Sequence, residues 1–557
     1  MRHQNIATYF LLCCLLAFGA SVQTHAVTGV FPTSTPETCS ADLWEAPREV
    51  RAVWLTTIGG LDWPHSYARG AVSIEKQKGE LCHLLDLYQQ AGINTVLLQT
   101  RVRGTVIYPS VYEPWDGCLS GNPGTSPGYD ALQFAIDECH QRGMELHAWV
   151  VTIPVGRWDK LGCKRLRRRY PGLIRKIGTD GYMNPEKPQT GDYLADICEE
   201  IVKNYDVDGI HLDYIRYPET WKITISRDKA RANVTDIVRK IHDKTKALKP
   251  WVKISCSPIG KHDDLTRYWS HGWNAYTKVC QDAQGWLRDG LMDELFPMMY
   301  FLGDQFYPFA IDWKESSYGR IVVPGLGIYF MHPRERDWPL QEITREMEVL
   351  RGLHMGHAFF RGKFLTDNTK GIFDFTRRFN ASPALVPAMT WQSRQRPEAP
   401  VLRFDKATKT IQLSGKGDVT YNIYTDGTLT LARTPLTTIP YSEGHQYAVR
   451  TMNRYGLESE PVFYPTLRSI DADKNMPLRS ADMLSCDGWQ LRLPVRDPQL
   501  DASVLAITTL QGVIVTTYPY RGTTINVGVL PEGVYILRSL NRKGITHRLG
   551  FFRVKRF

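Results

Sequence analysis

Short β-branched or aromatic runs alternate with longer stretches of helical periodicity from residue 49 onward, a pattern expected of strand–helix repeats. Eight strands are predicted: Glu49 to Thr57, Asn94 to Arg101, Glu145 to Thr152, Gly209 to Tyr214, Trp251 to Pro258, Asp293 to Tyr300, Arg320 to Tyr329 and His357 to Phe364. Helices are predicted over about 75–91, 129–142, 192–205, 228–248, 275–289, 340–354 and 371–379, the first two closed by Gly92 and Gly143. The predicted sixth strand has no helix assigned after it. Loops after strands are long and those after helices are short, the longest being Val102 to Gly128 and Ile153 to Gly191. Eight strands, nearly all followed by a helix, in roughly 330 residues predict an α/β fold, a (β/α)8 TIM barrel with enlarged loops over about 45–385. A doubly wound open sheet is disfavoured, because no Gly-rich phosphate loop follows the first strand.

After about residue 385 the pattern changes to short alternating runs separated by turn signals. Thr410-Ile411-Gln412-Leu413, Tyr421-Asn422-Ile423-Tyr424 and Tyr447-Ala448-Val449-Arg450 predict a small β-sandwich over 395–466. A linker rich in Asp and Ser follows, and a second all-β unit is expected over 486–557. At the other end, Arg2 and His3 precede the apolar run Tyr9 to Phe18, and small residues lead to Thr24-His25-Ala26. That order reads as a secretory signal over 1–26, cleaved near Ala26, with a lipid anchor on Cys13 or Cys14 as the rival. No later run is long and charge-free enough to span a bilayer. The mature chain is therefore expected to be exported: periplasmic, at the cell surface or extracellular.

Composition narrows this little further. Hydrophobic residues at 43% and charged residues at 23% are ordinary for a globular protein. The net charge of +10 accompanies no recognisable nucleic-acid module, so no nucleic acid is expected as a partner. Without Cys13 and Cys14 nine of the eleven cysteines remain. They form no C-x-x-C pair and no zinc-type spacing, which indicates neither a disulfide framework nor a structural metal. No cofactor is expected.

The chemistry concentrates where the predicted strands end. The fourth strand, Gly209-Ile210-His211-Leu212-Asp213, turns polar and continues into Tyr214 and Arg216. A buried parallel strand has little reason to end in a carboxylate unless something binds there, and in an α/β barrel that end is the catalytic face. Other strand ends and their loops offer Trp54, Arg101, Trp115, His147, Trp149 and Tyr300. Aromatic faces suit sugar rings, while Arg, His and Asp suit hydroxyl groups, so the mixture favours a polysaccharide or oligosaccharide. No H-E-x-x-H and no G-x-S-x-G occurs, which argues against a zinc protease and an esterase. Glycoside hydrolysis needs two carboxylates. Asp213 is the clear first candidate, as nucleophile or base; Asp304 and Glu113 are the leading second candidates, with Glu335 and Asp62 behind them. The basic run Lys164 to Arg169 lies in the loop after the third strand. It reads mainly as a solvated face, with docking of an anionic glycan as the alternative.

The segments Arg48-Glu49-Val50-Arg51-Ala52-Val53-Trp54, Gly92-Ile93-Asn94-Thr95-Val96, Glu113-Pro114-Trp115, Leu146-His147-Ala148-Trp149 and Asp208-Gly209-Ile210-His211-Leu212-Asp213-Tyr214 resemble the glycosyl hydrolase-like 10 family, bacterial envelope and secreted barrel proteins. The resemblance runs in order from about 48 to 380. It implies a barrel glycosidase acting on bacterial-type glycans, such as peptidoglycan strands stripped of peptide. Many members of the family carry a second Asp directly after the fourth-strand Asp. Here that position is Tyr214, so the second carboxylate is not supplied by that pattern. The fourth strand is also distantly similar to chitinase-type barrels, but their Glu after the strand is missing, since Ile215 and Arg216 stand there. The first β module looks like a fibronectin type III module, and Leu530-Pro531-Glu532-Gly533-Val534-Tyr535-Ile536 resembles the carboxyl-terminal sorting domains of exported Bacteroidetes proteins. Two other readings stand beside hydrolysis: a glycan-binding barrel without catalysis, and an adhesion protein whose β modules carry the function.

Overall fold

The structure, a computed structural model, describes residues 44–268 and 272–465, and segments between 483 and 554. The expected signal over 1–26 and most of the linker near 468–485 lie outside the described residues.

Eight parallel strands form the centre: β1 (Arg51–Leu55), β2 (Thr95–Arg101), β3 (Glu145–Val151), β4 (Gly209–Asp213), β5 (Lys253–Cys256), β6 (Glu294–Leu295), β7 in two segments (Ile321–Val322 and Gly325–Leu326) and β8 (His357–Phe359). The ring runs in chain order from β1 to β6, and β1 also pairs with β8. Its closure falls on β7. Ile321–Val322 pairs with β6 and Gly325–Leu326 with β8. The strand expected to be continuous from Arg320 to Tyr329 is thus interrupted at Pro324, which has no N–H to donate to a ladder. The core strands are buried along their whole length, as a parallel sheet covered by helices requires.

The outer layer comprises α1 (Ala71–Gln90), α2 (Ala131–Gln141), α3 (Pro188–Asn204), α4 (Arg227–Leu248), α5 (Ala283–Arg288), α6 (Tyr307–Glu315), α7 (Leu340–Gly352) and α8 (Ile372–Phe379). Helix α6 follows β6, where the sequence reading assigned none; its nine residues have Pro308 in the first turn and bury Phe309, Ala310 and Trp313. The segment expected as one helix over 275–289 is split into Ala275–Lys278 and α5. Asp130 caps α2 by accepting from the N–H groups of Leu132 and Gln133.

The long stretch after β3 is not a plain loop. It folds into a three-stranded antiparallel sheet, Pro154–Arg157, Asp180–Met183 and Ile174–Ile177, carrying the helix Leu161–Arg169. Residues 401–464 form two antiparallel sheets of three and four strands whose facing side chains share one core around Ile411, Ile423, Ile439 and Val449. This sandwich docks at the amino-terminal end of the barrel strands. There Arg433 bridges Asp208 (2.5 Å) and Glu145 (3.0 Å). A further four-stranded antiparallel sheet is made of Ala502–Thr509, Ile514–Pro519, Gly533–Asn541 and Thr546–Val554. None of the described helices is long and apolar enough to cross a membrane.

Candidate active site

The inside of the barrel is layered, and the register between β3 and β4 sets the layers. His147 is level with Gly209, Trp149 with His211, and Val151 with Asp213. In the lowest layer His147 lies beside Glu145 (3.1 Å) and Glu294 (3.7 Å), and it is fully buried. Gly209 makes room for that ring, since a Cβ there would fall 2.6 Å from His147 Nδ1. Burial raises the Glu294 carboxyl to about 6, opposed by His147 and Lys253.

In the middle layer His211 accepts from Trp54 Nε1 at its Nε2 (3.1 Å) and meets Ser255 Oγ at Nδ1 (3.0 Å). An indole N–H only donates, so the His211 proton sits on Nδ1. Burial, with His147 beneath it, pushes this imidazole well below its ordinary range, so it stays neutral. Trp54 is 1% exposed and packs against His211, Phe296 and Phe360. Three expected sugar-binding residues, Trp54, His147 and His211, are therefore barrel filling with protein partners, and the structure corrects their assignment to the mouth.

The top layer holds Asp213. Its Oδ1 accepts from Tyr214 N (2.7 Å) and Ser257 Oγ (3.0 Å), and its Oδ2 from Trp149 Nε1 (3.2 Å). All three donors are neutral. Burial raises the carboxyl above its ordinary range, against the pull of Arg216 and these hydrogen bonds. Tyr214 adopts the left-handed region (φ 55), a costly conformation for a non-glycine residue that often marks functional sites. The Arg216 guanidinium lies 3.9 Å from the Tyr214 ring centroid and bonds Glu219 through Nη2 (2.7 Å). Its Nε and Nη1 are buried without a protein partner, leaving two donors for a ligand or water. Tyr300 stacks on Phe360 (5.4 Å) and stands edge-on to Tyr329 (5.8 Å). Burial, with Tyr329 and Asp213 nearby, pushes its phenol well above the ordinary range, so it remains a hydroxyl donor.

The other candidate carboxylates are placed differently. Glu113 is bound to Arg101 through both oxygens (Nε 2.9 and 3.0 Å, Nη2 2.6 Å) and also accepts from Tyr193 (2.9 Å). The side chains of Arg101 and Glu113 are fully buried, and Arg101 Nη1 is taken by the carbonyls of Val151 and Thr152. The pair is a strut under the mouth, which corrects the expectation of an acid at Glu113 and a sugar ligand at Arg101. Asp62 is held by Arg361 (2.5 Å) and by the backbone N–H of Thr56 and Lys363. Asp304 stands exposed on the turn Gly303–Gln305 beyond β6, and Glu335 is exposed beyond β7. Half-buried Trp115 packs against the core between strands and helices. The sequence reading missed Glu219, Ser257 as a ligand of Asp213, and Glu294. Glu219 follows Arg216 by three residues, the one signal that could have found it.

Beside this layer lies a groove of ≈ 650 Å³ between the loops after β1, β2 and β3, lined among others by Ile58, Tyr67, Arg103, Asp116, Arg157 and Lys160. Trp149, Asp213, Tyr214, Arg216 and Tyr300 are not among the residues that line it; Arg103 is the lining residue whose charge also bears on the Tyr214 phenol.

A closed parallel barrel, with a buried carboxylate held by neutral donors and aromatic rings at the carboxyl end of its strands, has the architecture of the glycoside hydrolase class. Residues 49–227 and 221–324 match the glycosyl hydrolase-like 10 family, and the chain belongs to it. It is 31% identical over 413 residues to the glycosyl hydrolase YngK of Bacillus subtilis (strain 168), covering 68% of this chain and 80% of that protein. It is 29% identical over 332 residues to the glycosyl hydrolase DigH of Escherichia coli (strain K12), covering 53% of this chain and 74% of that protein. Among solved structures, the PgaB (BpsB) glycoside hydrolase domain of Bordetella bronchiseptica is similar with a TM-score of 0.42 and 12% identity, covering 61% of this chain and 100% of that one.

Proposed function

We propose that the protein hydrolyses glycosidic bonds of a bacterial-type polysaccharide, peptidoglycan glycan strands or a related glycan, with Asp213 as the carboxylate that handles the proton. One contrast carries this reading. Asp62 and Glu113 are each neutralised by an arginine, whereas Asp213 is held by neutral donors and raised by burial. A carboxyl of that kind can keep a proton and give it up, the property a general acid needs. In the step proposed, Asp213 protonates the glycosidic oxygen as the C1–O bond breaks, and water adds at C1, losing its proton to a second carboxylate. Exposed Asp304, and Glu219 once released from Arg216, to which it is bonded (2.7 Å), are the rim carboxylates considered for that part. Trp149, Tyr214, Arg216 and Tyr300 surround the sugar.

Export through the apolar amino-terminal segment belongs to the same reading, since such a substrate lies outside the cytoplasm. The sandwich, with its three- and four-stranded sheets, is read as a fibronectin type III-like spacer. The last unit is read as a sorting-type domain.

Reducing-end release from peptide-free peptidoglycan strands, chitin oligomers and acidic polysaccharides tests the activity. Asp213→Asn is expected to lower kcat by about 10²–10⁴, and Glu219→Gln and Asp304→Asn identify the partner. A glycan-binding barrel without turnover is the second reading, favoured by the withdrawal of Glu113 into its arginine pair. It gains if the native protein binds these glycans and releases no reducing ends.

A further inference from the structure

The excursion between β3 and α3 carries most of the chain's excess positive charge. Residues 153–183 contain nine Lys or Arg against two Asp, in a chain of net charge +10. Lys164, Arg165, Arg168, Arg169, Arg175 and Lys176 are all exposed. Among the described residues only Arg157 of the nine has a carboxylate within ion-pair distance, Asp159 at 3.5 Å. A helix face that is merely solvated usually intersperses both signs; this one does not.

The charges stand on a firm platform. Gly162 packs backbone to backbone against Gly104 of the β2 loop, and Gly181 approaches Cys163 so closely that a Cβ would fall 2.5 Å from its Sγ. Three cations lie over aromatic rings: Arg167 over Trp158 (3.9 Å to the ring centroid), Arg175 over Trp221 (4.6 Å) and Arg169 over Tyr112 (5.6 Å). Arg167 and Arg169 are further held by donating to the carbonyls of Trp158 and Val111, and a guanidinium so restrained offers its remaining N–H groups to carboxylates with little further loss of freedom. Two of these rings belong to other loops, Tyr112 to the one after β2 and Trp221 to the one after β4. The cationic surface is also continuous with the groove, where Arg157 and Lys160 join Arg103.

We propose that this excursion is a docking surface for the carboxylate-bearing stretch of a polysaccharide whose neighbouring units occupy the groove between the loops after β1, β2 and β3. The proposal rests on reading the barrel as a glycan-cleaving enzyme and adds a charge requirement: the strand must carry free carboxylates outside the cleaved bond. Charge complementarity and continuity with the groove favour a glycan over other polyanions.

The test uses the full chain and two probes, peptide-free peptidoglycan strands and the same strands with their carboxyl groups reduced to alcohols. Binding is read by calorimetry on Asp213→Asn, with and without Lys164→Glu, Arg165→Glu and Arg168→Glu together. Native strands are expected to bind about tenfold tighter than reduced strands at low salt, with the difference fading as screening shortens. The triple charge reversal is expected to abolish that difference. In the active chain it should raise KM about tenfold for native strands and leave kcat unchanged. Equal binding of native and reduced strands overturns the proposal, as does a triple variant indistinguishable from its parent. Tighter binding to anionic phospholipid vesicles or duplex DNA than to the strands also overturns it. Because binding is read without turnover, failure to release reducing ends counts against the hydrolase reading alone.

Discussion

At Asp213 three neutral hydrogen bonds hold the carboxylate in place and favour its ionised form, while burial opposes them and prevails. Removing a donor therefore raises the carboxyl further. Trp149→Phe and Ser257→Ala are each expected to move the Asp213-dependent limb of the kcat/KM–pH profile upward, by about half to one unit. A limb that stays in place or moves downward would sink the proton-handling role. Asp213 itself was legible because a carboxylate ending an apolar strand is conspicuous. The roles of His147 and His211 were not. Alternation along β3 and β4 shows that these residues face the same side as Trp149 and Asp213. It does not show which layer each reaches, and that depends on the register that sets His147 level with Gly209.

Between elements, the Arg101–Glu113 pair joins β2 to the loop that follows it, and Tyr193 ties in α3. Neither side chain of the pair reaches solvent. Glu113→Gln leaves a buried guanidinium without its counter-charge and is expected to cost about 3–5 kcal/mol of stability, read by denaturant unfolding. At a temperature where the variant is folded its kcat should remain close to wild type. A collapse of kcat in a stable Glu113→Gln protein would return Glu113 to the catalytic machinery. The sequence offered the residues of this strut but not their pairing, since both also suit a barrel mouth. The antiparallel excursion was equally hidden: its strands have four residues each, too few for alternation to stand out from a loop.

Across the whole molecule, Arg433 from the sandwich reaches Asp208 and Glu145 at the foot of the barrel. Gly143, which ends α2 with φ 72, sits against the Ala432 carbonyl so closely that no side chain fits. Arg433→Ala is expected to destabilise the protein by about 3–5 kcal/mol through the buried carboxylates it exposes to one another. It should also separate unfolding of the sandwich from that of the barrel in calorimetry; an unchanged single transition would refute the clamp. Acid sensitivity is a second property at this scale. Burial lowers His357 to about 3, against the pull of Glu49, and lowers His211 strongly too. Below pH 6.5 the unfolded chain takes up protons that these folded imidazoles refuse. Stability should therefore fall as pH drops from about 6.5 toward 3, by about 1.4 kcal/mol per unit for each histidine. Unfolding midpoints measured across that range check the sign, and His357→Gln should flatten the slope.

The sequence by itself determined the repeat of strands and helices, hence the barrel, and the polar end of the fourth strand that marks its working face. Both follow from local rules: periodicity needs only neighbouring residues, and a buried carboxylate needs a reason wherever it lies. Tertiary structure alone decided which charges are spent on one another. Arg101 finds Glu113, Arg361 finds Asp62 and Arg433 finds Asp208, across 12 to 299 positions of chain. Asp213 finds neutral donors instead, because the Trp149 indole from β3 and the Ser257 hydroxyl just past β5 come within hydrogen-bond reach of it. Ionisation depends on what surrounds a group within a few ångströms, and most of those neighbours come from elsewhere in the chain.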